Sequence, residues 1–143
     1  MKYVIVTLCF TFWLTGSAPR QNPRVIALRQ SDCPVVVEQH ENSNDGSLKS
    51  ADLKNRSEKT VDSIRVNWIL ESPSNAQITD IPGKVVELKP SLTAGGRVTV
   101  TSSAMGVPSS SSNAHSVKFY VASGYFSDGK RFTCSAGGSN PKD

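Results

Sequence analysis

The sequence has little of what most catalytic and cofactor sites require. It contains no G-x-S-x-G nucleophile turn, no glycine-rich phosphate loop and no C-x-x-C pair. Its only histidines are His40 and His115, and neither has a second ligand three or four residues further on. Nucleophilic catalysis needs a base beside the nucleophile, and zinc needs three or four ligands within reach. We therefore expect no enzyme, no metal and no cofactor.

Helical periodicity and concentrated positive charge are missing as well. No stretch carries apolar residues at helical spacing over three turns, which argues against a helical fold. The chain has 16 basic and 12 acidic residues, a formal charge of +4, but the basic residues are spread along its whole length. Phosphate binding requires a basic stripe, and base stacking requires aromatic residues interleaved with it. We therefore expect no nucleic-acid partner.

The first 18 residues have the parts of a secretory signal peptide. Lys2 is followed by an apolar stretch, 4–14, and by the small residues 15–18. A spanning helix needs about 20 apolar residues, so this stretch is too short for one. We expect cleavage near residue 18, loss of Cys9 with the peptide, no membrane segment afterwards, and a secreted or periplasmic protein. The alternative is an uncleaved anchor.

After processing, two cysteines remain in a chain long enough for one domain. In an exported protein such a pair favours a disulfide, here Cys33 to Cys134, and free thiols are the alternative. Closing a loop of about 100 residues is worth roughly 4 to 5 kcal/mol in the chain-entropy model. We expect a flexible lead-in or edge segment over 19–32, a domain over 33–136 and a disordered tail over 137–143.

Period-two alternation is the strongest signal in the sequence. Between Val61 and Glu71, the residues Ile64, Val66, Trp68 and Leu70 fall on one side and polar residues on the other, which predicts a strand with one buried face. A hairpin is predicted around 127–129, where Asp-Gly favours a tight turn. We expect a bulge at Gly124 and a mobile loop over 102–116. Together the patterns predict an all-β fold, an antiparallel two-sheet sandwich of about seven strands.

Three segments carry a resemblance to a known class. The runs LKNRSEKTVDSIRVNWILE, VVELKPSLTAGGRVTV and VKFYVASGYFSDGKRFTC resemble the small exported immunoglobulin-like or fibronectin-type-III-like sandwiches of bacteria. The resemblance covers 33–134 and implies an immunoglobulin-like sandwich. In such a fold the first and last strands commonly lie side by side, and a bond between Cys33 and Cys134 would join them. Domains of this class serve adhesion, carbohydrate binding, chaperoning or enzyme accessory roles, so no single function is implied.

The terminal hairpin supplies the candidate binding residues. If Tyr120 and Tyr125 point outward, they could form a platform for sugar rings or for the apolar edge of a partner protein. The alternative is that Phe119, Phe126 and Phe132 fill the core and the tyrosines lie at its rim. We expect a non-enzymatic secreted domain that binds another protein or belongs to a surface assembly. The alternative function is a carbohydrate-binding or enzyme accessory module.

One modification motif is present. Asn55-Arg56-Ser57 is an N-glycosylation sequon in the predicted turn before the central strand. Glycosylation there would require that the asparagine amide be accessible in the exported protein.

Overall fold

The computed structural model describes residues 23–72, 79–108 and 114–137, and this part of the chain forms eight strands and one short helix. The elements are β1 (Arg24–Ala27), β2 (Val35–Asn42), β3 (Leu48–Asn55), β4 (Val61–Glu71), β5 (Thr79–Leu92), β6 (Arg97–Thr101), α1 (Ser102–Met105), β7 (Ser116–Phe126) and β8 (Arg131–Thr133). The predicted signal peptide, 1–18, and the tail beyond residue 137 lie outside the described residues.

The strands form two sheets, which confirms the all-β, two-sheet prediction. The larger sheet has the order β1-β7-β4-β5, with β8 also paired to β7, and the smaller sheet has the order β2-β3-β6. All pairs are antiparallel except β1 and β7, which run parallel. The fold therefore has eight described strands rather than about seven, and it is mixed rather than purely antiparallel, because β1 lies within the segment expected to be a lead-in.

Strand β4 is the centre of the core, as its alternation predicts. Ile64, Val66 and Trp68 are fully buried, and Leu70 packs against the core at its edge. Trp68 lies beside Phe119 of β7, with 5.5 Å between ring centroids. Each such side chain contributes roughly 1.5 to 3 kcal/mol by leaving water, so β4 and its neighbour β7 supply much of the driving force for folding.

The smaller sheet covers this apolar face. Val35 of β2 and Leu53 of β3 are fully buried in the same cluster as Trp68. The ring of His40, at the far end of β2, meets Phe119 edge-on at 5.8 Å. The two sheets therefore share one core, and His40 packs against it.

Of the predicted lead-in or edge segment, residues 23–32 are described, and they include an edge strand. β1 pairs with the first residues of β7, and β8 pairs with residues nearer the end of β7 on the same edge. The buried Gln30 side chain lies between them: its Nε2 donates to Val121 O at 2.9 Å, and its Oε1 accepts from Val121 N at 3.1 Å. This amide stands in for a strand peptide, so the edge-segment alternative describes 24–30 and the fold begins before Cys33.

The predicted disulfide is present, but it joins different elements from those expected. Cys33 and Cys134 are 101 residues apart in sequence, and their Cα atoms are 5.3 Å apart. Cys33 precedes β2 of the smaller sheet, and Cys134 follows β8 of the larger one. The bond therefore links the two sheets instead of joining a first and a last strand side by side, because the first strand of the larger sheet, β1, precedes Cys33.

The serine-rich segment after β6 begins with an ordered turn instead of a mobile loop. Thr101 caps α1 by accepting from Ala104 N at 3.4 Å, and Gly106 ends the helix with a φ of 70°. Met105 is fully buried in the core. Met105, together with the partly buried Val107 that packs against the core, therefore anchors the start of this segment, while residues 109–113 lie outside the described part.

Glycine is required where β5 crosses the centre of β4. The register moves from Asn67 opposite Pro82 to Arg65 opposite Val85, which leaves two residues of β5 facing Val66. A Cβ atom on Gly83 would lie 2.0 Å from Val66 O and 2.9 Å from Trp68 Nε1. Any larger residue would push β5 away from the buried tryptophan.

Candidate binding face

The outer face of the larger sheet carries both predicted tyrosines. Across β4 and β7 the register places Asn67 opposite Tyr120 and Ser63 opposite Tyr125, with Arg65 opposite Ser123 between them. The two tyrosines are five positions apart in the sequence, so strict alternation would place their side chains on opposite faces. A register irregularity between Val121 and Ser123 brings them to the same face. Their environments nevertheless differ.

Tyr120 is buried and does not form part of an exposed platform. Only 5% of it is exposed, and its hydroxyl donates to Asp80 Oδ2 at 2.8 Å. Asn67 Nδ2 donates to the other carboxylate oxygen of Asp80 at 3.1 Å, while Asn67 Oδ1 is buried and has no hydrogen-bond partner among the described residues. Burial raises the pKa of the Tyr120 phenol, and the bond to the Asp80 carboxylate raises it further.

A second polar cluster lies where β4 ends and β7 begins. Lys118 forms an ion pair with Glu71, and the Ser116 hydroxyl donates to the same carboxylate. The bond from Lys118, followed by that from Ser116, lowers the pKa of Glu71 below its ordinary value. We call this half of the face the paired end, because its polar side chains bond mainly to one another; it consists of Asn67, Glu71, Asp80, Ser116, Lys118 and Tyr120.

The other half of the face, which we call the open end, is different. Tyr125 is 47% exposed and Val85 46% exposed, and within residues 23–72, 79–108 and 114–137 they are the only exposed large apolar side chains. Both line the same small hollow, of about 150 Å³. The open end consists of the residues around this hollow: Ser63, Ile64, Arg65, Val85, Ser123, Gly124, Tyr125 and Arg131.

The polar groups of the open end have no partners in the described part of the chain. Arg65 and Arg131 form no ion pair there, unlike Lys118 of the paired end. The hydroxyls of Ser63 and Ser123 make no hydrogen bond to another described group, although both residues are largely buried. Two guanidinium groups and two hydroxyls therefore remain available to a ligand beside two apolar side chains.

Gly124 lines this hollow and allows β4, β7 and β8 to pack closely beneath it. It pairs directly with Ile64 on one side and Phe132 on the other, so the bulge predicted at Gly124 lies instead two residues earlier, at Ala122. A Cβ atom on Gly124 would lie 2.4 Å from Phe132 Cζ and 2.5 Å from Ser63 O. Glycine is needed here because the phenylalanine ring occupies the space of a side chain.

Two larger hollows, each of about 580 Å³, share Gln30, Ser31 and Gly137 in their lining. Both cysteines of the disulfide and Asp32 line the first, and Glu38 lines the second. Glu38 forms ion pairs with Arg97 and Lys54, and none of the exposed large apolar side chains of the described residues lines either hollow. Size alone therefore does not make this region the better candidate.

The sequon asparagine has a structural role. Asn55 is fully buried, and its Nδ2 lies 2.7, 3.0 and 3.1 Å from the carbonyl oxygens of Lys59, Leu92 and Thr93. Its Oδ1 accepts from the backbone and hydroxyl of Ser57. The amide that would carry a glycan is enclosed in the folded protein, where it ties the β3–β4 turn to the end of β5.

The histidines lie apart from the open end. His40 contacts Phe119, and the backbone N–H of His115 donates to Glu71 O at 2.8 Å. Among the described residues, no three or more histidine, cysteine, aspartate or glutamate side chains are grouped so that they could hold a metal ion. Nor does any helix in this part of the chain have the length and apolar character needed to span a membrane.

Comparison with known proteins identifies no relative: no family model, curated protein or solved structure matches this chain. The site must therefore be judged on its own geometry. Sequence reasoning found Tyr125 but missed Val85, Arg65 and Arg131. The available signal was that Arg65 is an outward position of β4 and that Val85, Tyr125 and Arg131 lie on flanking strands.

Proposed function

We propose that this chain is an exported, non-enzymatic β-sandwich domain that binds another protein through the open end of its larger sheet. The observation that carries the proposal is that one hollow brings together the two exposed large apolar side chains of the described residues, Val85 and Tyr125, and two arginines that form no ion pair within those residues. Aromatic and arginine side chains are the types enriched where proteins bind one another.

Export is supported by two independent features. The first 18 residues have the pattern of a signal peptide, and the Cys33–Cys134 disulfide is of the kind that persists in an oxidising compartment. The immunoglobulin-like class is supported by two facing sheets around one core. The non-enzymatic part of the proposal is supported by the sequence, which supplies two histidines and no nucleophile motif.

A protein partner fits this face better than a glycan platform does. A platform for sugar rings needs neighbouring exposed aromatic side chains, and Tyr120 is buried against Asp80. One exposed ring, Tyr125, remains next to aliphatic Val85 and to Arg131. Mixed apolar and guanidinium groups suit a peptide surface, which offers apolar side chains together with hydrogen-bond acceptors.

Site-specific crosslinking tests the proposal. The photoreactive residue p-benzoylphenylalanine is introduced at Tyr125 in the full-length chain, expressed in its native host, and the exported fraction is irradiated. The matched control carries the same residue at Thr99, an exposed position of the smaller sheet. We expect a covalent adduct of one defined protein with the Tyr125 variant and none with the Thr99 variant.

The captured protein must then bind the purified domain at the same face. We expect it to shift the amide NMR signals of Arg65, Ser123 and Tyr125, and to bind at least about tenfold more weakly to Val85→Asp. Equal crosslinking from Tyr125 and Thr99, or signal changes confined to the paired end or the smaller sheet, would refute binding through the open end.

A further inference from the structure

The hollow of the open end has the chemistry of an anion site. Arg65 and Arg131 both line it, and the described part of the chain gives neither an acidic partner. Glu87, opposite Ser63 across β4 and β5, is the nearest acid by register, but it lies outside the hollow. Two arginines therefore line one hollow that no described acidic residue lines.

Hydrogen-bond geometry and the size of the hollow restrict the class of anion that would fit. A guanidinium presents a planar fork of donors that matches a carboxylate in a bidentate fashion, and the Ser63 and Ser123 hydroxyls can donate to the same oxygens. The hollow of about 150 Å³ has room for about five water molecules at ~30 Å³ each. That space suits one short acidic side chain and is small for a larger group.

The apolar neighbours distinguish a peptide from a free anion. Val85 lies directly opposite Arg65 across β4 and β5, and Tyr125 directly opposite Arg131 across β7 and β8, so an exposed apolar side chain accompanies each arginine. A small inorganic anion would leave both apolar side chains in water. An extended peptide places alternate side chains on one face and could bring an acidic residue to the arginines and aliphatic residues to Val85 and Tyr125.

We propose that the open end binds a carboxylate carried by an extended segment of the partner protein, with the aspartate or glutamate side chain held between Arg65 and Arg131. This inference rests on the proposed function and specifies its ligand. The carboxylate replaces the missing counter-charge, and the flanking aliphatic residues bury the exposed faces of Val85 and Tyr125.

The test is an NMR titration of the full exported protein with three probes. These are a blocked five-residue peptide with glutamate at its centre and a valine two positions away on either side, the same peptide with glutamine in place of glutamate, and inorganic phosphate. We expect the glutamate peptide to shift the signals of Arg65, Ser123, Tyr125 and Arg131, and to bind at least about tenfold more tightly than the glutamine peptide. The double variant Arg65→Gln with Arg131→Gln should lose this preference.

A matched control removes the same charge elsewhere. Arg29 and Arg56 are exposed and line the hollow that contains Glu38, so Arg29→Gln with Arg56→Gln should leave the preference for the glutamate peptide intact. If this control abolishes the preference as fully as the open-end variant does, binding depends on net charge and the assigned site is wrong.

The outcomes separate this inference from the proposed function. Binding of phosphate without the glutamate peptide, equal binding of both peptides, or no binding at all would overturn the carboxylate site. Equal peptide binding together with a specific Tyr125 crosslink would leave protein binding intact. A clear preference for glutamate, with no protein captured from Tyr125, would support the carboxylate site and count against the proposed function.

Discussion

The paired end and the open end lie on one sheet and use similar side chains, yet they use them differently. At the paired end, Tyr120 is buried and bonded to Asp80, and Lys118 is bonded to Glu71. At the open end, Tyr125 is half exposed, and Arg131 has no ion-pair partner within the described residues. The same residue types therefore have different roles at the two ends. Acidic neighbours decide whether a tyrosine and a nearby basic side chain are bonded within the fold or left exposed to a ligand.

Acidic residues explain why the polar side chains are bonded at the paired end and exposed at the open end. Asp80 and Glu71 satisfy the phenol and the ammonium group of the paired end, so those groups contribute to folding and have little left to offer a ligand. No described acid lines the hollow of the open end. Its two arginines are exposed to solvent, and a ligand that supplied an acceptor would form hydrogen bonds that these side chains do not form within the described residues.

The largest expected effect separates the two tyrosines. Tyr120→Ala removes a buried ring and should lower the free energy of unfolding by about 3 to 5 kcal/mol. Tyr125→Ala removes a half-exposed ring and should cost less than about 1 kcal/mol. Urea unfolding of both variants measures the difference. Similar losses would mean that the two ends do not differ in their contribution to folding.

Removing an acid from the paired end should have the next largest effect. Asp80→Ala takes the acceptor away from the Tyr120 hydroxyl and a partner away from Asn67, so we expect a loss of about 1 to 2 kcal/mol. The same substitution at Glu87, which forms no ion pair within the described residues, should change stability by less than about 0.5 kcal/mol. Equal effects in urea unfolding would contradict the pairing at Asp80.

Part of the acid dependence of stability should come from the paired end. The pKa of Glu71 is lower in the folded protein than in the unfolded chain, chiefly because Lys118 donates to its carboxylate. The resulting stabilisation is fully present above the unfolded pKa and is lost as the pH falls through the folded pKa. Glu71→Gln should therefore reduce the loss of stability between neutral pH and about pH 3.

The control for the acid experiment is Glu87→Gln, which should follow the wild-type curve. Thermal unfolding followed across this pH range measures both variants. Parallel curves for Glu71→Gln and the wild type would show that the Lys118 pair does not depress the pKa of Glu71 enough to matter for folding.

Much of the fold could be predicted from local pattern, whereas the site could not. The alternation of Ile64, Val66 and Trp68 depends only on neighbouring residues, and it correctly placed their side chains in the core. Met105 was missed because one buried side chain makes no periodic pattern. The sequence left the segment of β1 open between a flexible lead-in and an edge segment, because its parallel partner, the start of β7, lies about ninety residues away.

The two tyrosines show why the site escaped prediction. Their common face depends on the irregularity near Ala122, and their different burial depends on strands that contribute Asp80 on one side and Arg131 on the other. The sequon at Asn55 shows the same limit, because nothing local to its three residues reveals that carbonyl groups of Leu92 and Thr93 surround its amide.

The smallest expected change in stability comes from giving Arg65 of the open end an acidic partner of its own. Val85 lies directly opposite Arg65, so Val85→Glu would place a carboxylate in cross-strand register with the unpaired guanidinium. Opposite charges in this position contribute roughly 0.2 to 1 kcal/mol, and the pair is exposed, so we expect a gain near the lower value. Val85→Gln is the isosteric control without the charge.

The same variant should abolish the preference for the glutamate peptide, because its own carboxylate would occupy Arg65 and repel the ligand. A double-mutant cycle with Arg65→Gln separates the pair from the loss of the valine, since the gain from Val85→Glu should vanish when Arg65 is absent. If Val85→Glu still prefers the glutamate peptide, Arg65 is not a ligand of the carboxylate. The difference between the two ends would then depend on the exposed apolar side chains instead of on the missing acid.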